Sequence, residues 1–135
     1  MNHTILDAWY AGLRSGMADA IRNVATPDIR IWWNGPPDLV PWAGEHNGAD
    51  AVIAFFAKVG AHLEVVSTTA TERIETPDAV IVFLDAHWRV RANGSEIRAK
   101  ALNVFRFRDG LISGYEVYPD SAAFVRALGS PVNPA

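Results

Sequence analysis

Residues 79–108 read AVIVFLDAHWRVRANGSEIRAKALNVFRFR, two β-rich runs on either side of an Asn93-Gly94 pair. Asn-Gly flanked by alternating apolar residues is a strong short-range hairpin signal. A two-residue loop there pairs Ala92 with Ser95, Val90 with Ile97, Trp88 with Ala99, Ala86 with Ala101 and Leu84 with Asn103. Side chains alternate across a strand, so these residues share one face, which is apolar apart from Asn103. The opposite face carries Asp85, His87, Arg89 and Arg91, opposed by Arg98, Lys100, Arg106 and Arg108. The apolar face is therefore the one expected to meet helices. Small side chains at Ala86, Ala99 and Ala101 leave room on it, to be filled by rings from the helices or left as a pocket.

Working downstream, Asp109-Gly110 marks a second turn before Leu111 to Tyr118. A two-residue loop would set Glu116 and Tyr118 beside Asn103, whereas a three-residue loop with a glycine bulge would set Tyr115 and Val117 there. The bulge is preferred because it leaves Glu116 among the arginines. The alternative buries a carboxylate on an apolar face, at a cost of several kcal/mol. Ser121 is placed to cap a last short helix that Gly129 ends.

Working upstream, Leu63 to Ile74 is a further β-rich run, closed by Thr76-Pro77-Asp78. Val52, Phe55, Phe56 and Val59 define an amphipathic helix. Before it, Asp38 to Asn47 reads as a loop containing Pro41-Trp42-Ala43-Gly44, preceded by the turn cluster Asn34 to Pro37. Ile29, Ile31 and Trp33 alternate as a short strand. Thr4 with Asp7 resembles a capping box, and Ile5, Trp9 and Leu13 then share a helical face. Ser15-Gly16 breaks that helix. Met17, Ala20, Ile21 and Val24 give a second, short one that Pro27 ends. Helices, a strand, a helix and a meander of long strands make an α+β fold with an antiparallel sheet covered by helices on one face. One domain is expected over 1–129, with 130–135 a loose tail.

The chain has 135 residues, enough for one core, and half of them are hydrophobic. Five Trp, six Phe and three Tyr can fill that core or line a cavity. Net charge is −3 and the basic residues form no run, which argues against a nucleic-acid partner. The absence of Cys removes disulfides, thiolate metal sites and a Cys nucleophile. No stretch reaches the roughly 20 apolar residues that cross a bilayer, and Asp7 and Arg14 interrupt the first segment as a signal peptide. A cytoplasmic protein without a membrane partner is expected. His3, His46, His62 and His87 are dispersed, so no metal site is expected. There is no Gly-rich phosphate loop and no Gly-x-Ser-x-Gly elbow, and no cofactor is expected.

With these elements placed, the chain resembles the nuclear-transport-factor-2-like superfamily and specifically its SnoaL-like branch. The resemblance rests on Pro41-Trp42-Ala43-Gly44 with Gly48 before the helix carrying Phe55-Phe56. It rests equally on the run Asn103 to Ile112, then Tyr118 and Asp120 before the last helix. It implies a curved sheet wrapped by the N-terminal and middle helices into a cone with an apolar pocket (the cystatin-like α+β roll), and a homodimer through the outer sheet face. It implies cofactor-independent isomerase, cyclase or hydratase chemistry on a small, mostly apolar molecule, or binding without turnover. In steroid isomerases of the superfamily a helix Tyr, a first-strand Asp and a late-strand Asp do the work. By matched spacing those positions are Trp9, Trp33 and Asn103 here, and Asn103 alone keeps a polar function in place of its counterpart. The last-strand acid of the epoxide-hydrolase-like branch falls near Val117.

The candidates are weighed accordingly. Asn103 is placed to hold a carbonyl or oxyanion; its plainer role is a structural amide bonded to backbone or to Tyr10. Tyr10 and Tyr115 are placed to supply hydroxyls. His46 is the one candidate base at a pocket mouth, against the plainer reading of a solvated loop histidine. Trp9, Trp33, Trp42 and Trp88, with Val117, are expected ligand-wall residues, Trp42 at the rim because it lies on a loop. For each of these rings simple core packing is the competing role. His87 beside Asp85 falls on the outer face, a surface or interface pair.

Overall fold

A computed structural model of the chain describes residues 2–14 and 18–129. Helix α1 (Asn2–Arg14) leads through a 3-10 helix (Ala18–Asn23) to strand β1 (Ala25–Trp33) and the short β2 (Gly44–Asn47). Helix α2 (Ala49–His62) follows, then β3 (Leu63–Glu75), β4 (Ala79–Val90), β5 (Glu96–Arg108), β6 (Leu111–Pro119) and α3 (Ser121–Leu128). The expected break at Ser15-Gly16, the side chains of Thr4, Leu13 and Met17, and the tail 130–135 lie outside the described residues.

The six strands form one curved, unclosed sheet in the order β2-β1-β6-β5-β4-β3, confirming the α+β class. The sheet is mixed where the sequence suggested antiparallel throughout. The meander β3-β4-β5-β6 and the β1–β2 pair are antiparallel, but β1 lies parallel to β6. Strand β1 reaches the sheet from the helices and not through a hairpin, so nothing forces the reversal of direction that a tight turn imposes. Two further boundaries move. Pro27 lies inside β1 instead of ending a helix, and the end of the Asp38–Asn47 loop is drawn into the sheet as β2, the edge strand beside β1.

The hairpin that decides the fold forms, with a different loop. Residues 91–94 make a four-residue turn, closed by Val90 N donating to Ser95 O (2.8 Å) and Gly94 N donating to Val90 O (2.8 Å), with Gly94 at φ 73°. Asn93 is used elsewhere. Its Oδ1 accepts from Ser95 N (2.9 Å) and its Nδ2 donates to Ala127 O on α3 (2.8 Å). The register moves by two, so that Trp88 faces Ile97, Ala86 faces Ala99, Leu84 faces Ala101 and Val82 faces Asn103. A shift of two keeps every side chain on its face. Val82, Ala86, Val90, Ile97, Ala101 and Asn103 are buried, while Asp85, Arg98, Lys100, Arg106 and Arg108 are exposed on the other side.

At the next hairpin both halves of the expectation are partly met. Asp109 and Gly110, at φ 53° and 78°, form a two-residue turn that pairs Arg108 with Leu111 and Phe107 with Ile112. Positive φ at both central positions is what this turn type needs. The extra residue comes later, between the Phe107–Ile112 and Arg106–Gly114 pairs, so the bulge sits at Ser113. Tyr115 and Val117 therefore point inward, opposite Phe105 and Asn103, and Glu116 points outward to accept from Arg106 Nε (3.0 Å).

Helix α3 is capped by Asp120, whose carboxylate accepts from Ala123 N (3.2 Å), one residue before the Ser121 expected in that role. Its Phe124 and Ala127, with Val52 and Phe55 of α2 and Leu6 and Trp9 of α1, cover the concave face of the sheet.

Candidate functional site

Helix α1 places Leu6, Trp9 and Tyr10 on one side at helical spacing. Leu6 and Trp9 are fully buried, and Tyr10 is half-buried at the margin of the contact. Trp9 meets Phe56, Phe105 and Tyr115 with centroids 5.6, 5.8 and 5.0 Å away. A second ring cluster forms on α3, where Phe124 packs on Trp33 (5.1 Å) and Trp88 (5.0 Å) while Trp33 stands edge-on to Trp42 (5.6 Å). The expected ligand-wall rings are thus divided between two packed groups. Trp42 is 0 % exposed and does not stand at a rim. Its loop folds inward, and the indole lies against Trp33, His62 and Phe124.

Asn103 occupies the centre of the inner face, 3 % exposed, between Val82 and Val117. Its Nδ2 donates to the Tyr10 hydroxyl at 3.0 Å. Burial raises the Tyr10 pKa, an effect opposed by the Asn103 hydrogen bond and by the charge of Arg73. Burial pushes Tyr115 well above the usual tyrosine value, reinforced by Tyr10 nearby. Both phenols are therefore protonated at neutral pH. The Tyr10 oxygen accepts from the amide, which leaves its own proton for donation to something else. The Trp9 indole N–H, also buried, finds no acceptor among the described residues.

His46 is brought elsewhere. It lies on β2 opposite Ile31, its ring 5.0 Å from Phe55, and its Nε2–H donates to Trp42 O (2.8 Å). Strand β2 is three strands from β5, about 14 Å at ordinary strand spacing. The structure thus joins Asn103 to Tyr10 and separates His46 from both. His87 pairs with Glu96 (2.8 Å) on the outer face and Asp85 with Lys100 (3.1 Å), so no His87–Asp85 dyad forms.

Sequence reading passed over Arg73. It lies on β3 opposite Val82, which faces Asn103, so Arg73, Val82, Asn103 and Val117 form one row across the inner face. The signal was present. Pro77-Asp78 makes a two-residue turn, with Thr76 N donating to Ala79 O (2.8 Å), and counting back from it sets Arg73 against Val82.

The outer face is not uniformly charged. Ile81 faces Val104, Phe83 faces Leu102, and Leu102 faces Tyr118 in an apolar band that Trp32 and Ile74 extend to either side. Trp32, Ile74 and Tyr118 are 39 %, 42 % and 38 % exposed. At the β1 end a cleft of about 430 Å³ lies over Trp32, Arg30, Arg106 and Glu116. Its ion pairs are Arg30–Glu45, Arg108–Asp28 and Arg106–Glu116. Among the described residues, no group of three His, Asp or Glu is placed to hold a metal ion, and no helix is long and apolar enough to cross a membrane.

Solved structures with this arrangement are numerous. An NTF2-like protein from Burkholderia xenovorans LB400 superposes with a TM-score of 0.83 at 22 % identity, covering 95 % of each chain. A protein of the SnoaL-like polyketide cyclase type from Jannaschia sp. CCS1 gives 0.78 at 19 % identity, over 96 % of this chain and 92 % of that one. TerC, co-crystallised with polyporic acid, gives 0.77 at 24 % identity, over 96 % and 98 %. No curated protein matches the sequence. The SnoaL-like domain model matches residues 6–115, from the helix that carries Tyr10 to the strand that carries Tyr115. Sequence pattern and the curved α+β architecture agree, and the chain belongs to the SnoaL-like family.

Proposed function

We propose that the chain binds a small, mostly apolar molecule bearing a carbonyl oxygen, held against the concave face of the sheet with that oxygen on the Tyr10 hydroxyl. The observation that carries this reading is the 3.0 Å bond from Asn103 to Tyr10. The amide fixes the phenol and occupies its oxygen, so the phenolic proton is available to a ligand. A buried donor directed at a carbonyl is what stabilises charge developing on that oxygen. The unpaired Trp9 N–H is a second buried donor in the same part of the fold. TerC, a neighbour of the same fold, was crystallised with a small organic molecule. Polarisation of a bound carbonyl, without a cofactor, is the chemistry such an arrangement serves. The side chains acting on Tyr10 are Asn103 and Arg73, which favours binding and polarisation over proton shuttling.

The test compares acetonaphthone with ethylnaphthalene by quenching of tryptophan fluorescence. The wild type should prefer the ketone by about tenfold, the worth of one buried hydrogen bond. Tyr10→Phe should erase that preference while leaving the hydrocarbon's affinity unchanged. Equal affinity for the two in the wild type, or no binding of either, rejects the reading.

A second reading is favoured by the complete burial of Trp9, Trp42 and Phe105. In it the rings fill the cone and the chain acts as a dimeric scaffold. Both readings include a homodimer through the outer face, supported by the exposed band of Trp32, Ile74 and Tyr118 around Phe83 and Leu102.

A further inference from the structure

The inner face of the sheet is not evenly covered. Val82, Asn103 and Val117 are buried, but Val65, Thr68 and Ala70, on the same face of β3, are exposed. The concave surface therefore opens at its β3 side. Arg73 stands at that opening, half-buried, at the end of the row that runs through Val82 to Asn103. Two strand spacings separate it from Asn103, about 10 Å, a span that an arginine side chain and a bound ligand cover together. By register it is the one Lys or Arg on the inner face of β3 to β6; the one carboxylate there is Glu75, exposed at the end of β3. Its charge already acts on the Tyr10 phenol, lowering the cost of negative charge there.

We infer that Arg73 determines specificity at the Tyr10–Asn103 site and selects ligands that carry an anionic oxygen, a carboxylate or an ionised enol or phenol, beside an apolar ring. The inference rests on the binding reading given above and adds the charge class of the ligand to it. The guanidinium at the open edge attracts the anion and remains partly hydrated, while the apolar body lies inward against Val82, Val117 and the rings of α1. An arginine in this position discriminates by charge and by its fork of donors, and a lysine reproduces the first of these and not the second.

The experiment measures affinities for naphthoate and for its neutral counterpart naphthamide at fixed pH and salt, in wild type, Arg73→Met and Arg73→Lys. Wild type should bind naphthoate about tenfold more tightly than naphthamide. Arg73→Met should remove that preference and change naphthamide affinity less than about twofold, and Arg73→Lys should restore most of it. Folding of each variant is checked by circular dichroism, and the Lys variant keeps the comparison informative if the Met variant unfolds. The inference is overturned if Arg73→Met weakens both ligands alike, or if wild type binds naphthamide as well as naphthoate; in either case the neutral-ligand reading stands. Failure of wild type to bind either ligand overturns both.

Discussion

Asn103, at the centre of the sheet's inner face, donates its amide hydrogen to the hydroxyl of Tyr10, which lies on the first helix 93 residues earlier. The bond ties α1 to the sheet interior. In Asn103→Leu the Tyr10 oxygen loses its donor inside a largely buried site, a loss of about 1–3 kcal/mol of stability. Because the Asn103 bond lowers the Tyr10 pKa, its removal should also move that pKa further up. Urea unfolding of the two single variants and of Asn103→Leu with Tyr10→Phe gives the coupling directly, about 1 kcal/mol for a pair of this kind. A coupling of zero would mean that the two groups do not interact in solution.

Asn93 holds α3 to the sheet by donating to Ala127 O while it braces Ser95 N. Asn93→Ala should cost about 1–3 kcal/mol, since it frees a helix-terminal carbonyl and opens the turn. Had the turn been the two-residue type suggested by Asn-Gly, the main cost would be a local loss of backbone preference, leaving α3 in place. Amide exchange distinguishes them: loss of protection in α3 as well as in the turn is the outcome the structure requires.

The turn shows where the sequence is legible. Hydrophobic alternation has a period of two, so it reports which face a residue occupies and is blind to a register shift of two. Leu84 and Val82 are equally acceptable partners for Asn103 by pattern, and only the length of the 91–94 turn decides between them. The same limit explains Tyr115 and Val117, placed inward correctly although the bulge at Ser113 lies after the turn and not within it. Burial from loop membership failed for Trp42, because a loop that folds over the core can bury a ring completely. Arg73 was missed for lack of counting back from Pro77-Asp78, not for lack of a signal.

Gly35 lies against Trp33. A Cβ added there would come within 2.6 Å of Trp33 Cζ3, and Ser121 Cβ is 3.6 Å away on another side. The indole cannot yield readily, because Trp42 and Phe124 stand edge-on to it. Gly35→Ala should therefore destabilise by about 1–3 kcal/mol, the ordinary cost of overpacking. A thermal transition at the wild-type temperature would show that Trp33 has room to move.

Arg108 holds the Asp28 carboxylate at a pKa of about 2, below its ordinary 3.8, chiefly through its hydrogen bond to that group. The pKa is depressed in the folded state, so the stabilising contribution is complete above pH 3.8 and is lost as pH falls through about 2. The pair is exposed and screened, so the measurable quantity is the titration itself. Arg108→Ala should raise the Asp28 pKa toward 3.8 in a carbon-detected NMR titration. An unchanged value would mean that Arg108 does not engage Asp28 in solution.

The outer face gives the last prediction. Monomeric proteins seldom expose a contiguous apolar patch without a use for it. Here Trp32, Tyr118, Leu102, Phe83, Ile81 and Ile74 lie side by side across five strands, with ion pairs at either end. Two copies meeting across this band would bury the apolar side chains in the middle and keep Asp85–Lys100 at the rim, the usual division of an interface, while Glu116, between Val104 and Trp32, would be covered together with its partner Arg106. Leu102→Glu places a charge at the centre of the band, where pairing would desolvate it without a partner. Sedimentation equilibrium should show a wild-type dimer and a Leu102→Glu monomer whose circular dichroism matches the wild type, because Leu102 does not reach the inner core. A wild type that remains monomeric at high concentration would leave the band to some other partner and remove the homodimer from the proposed function.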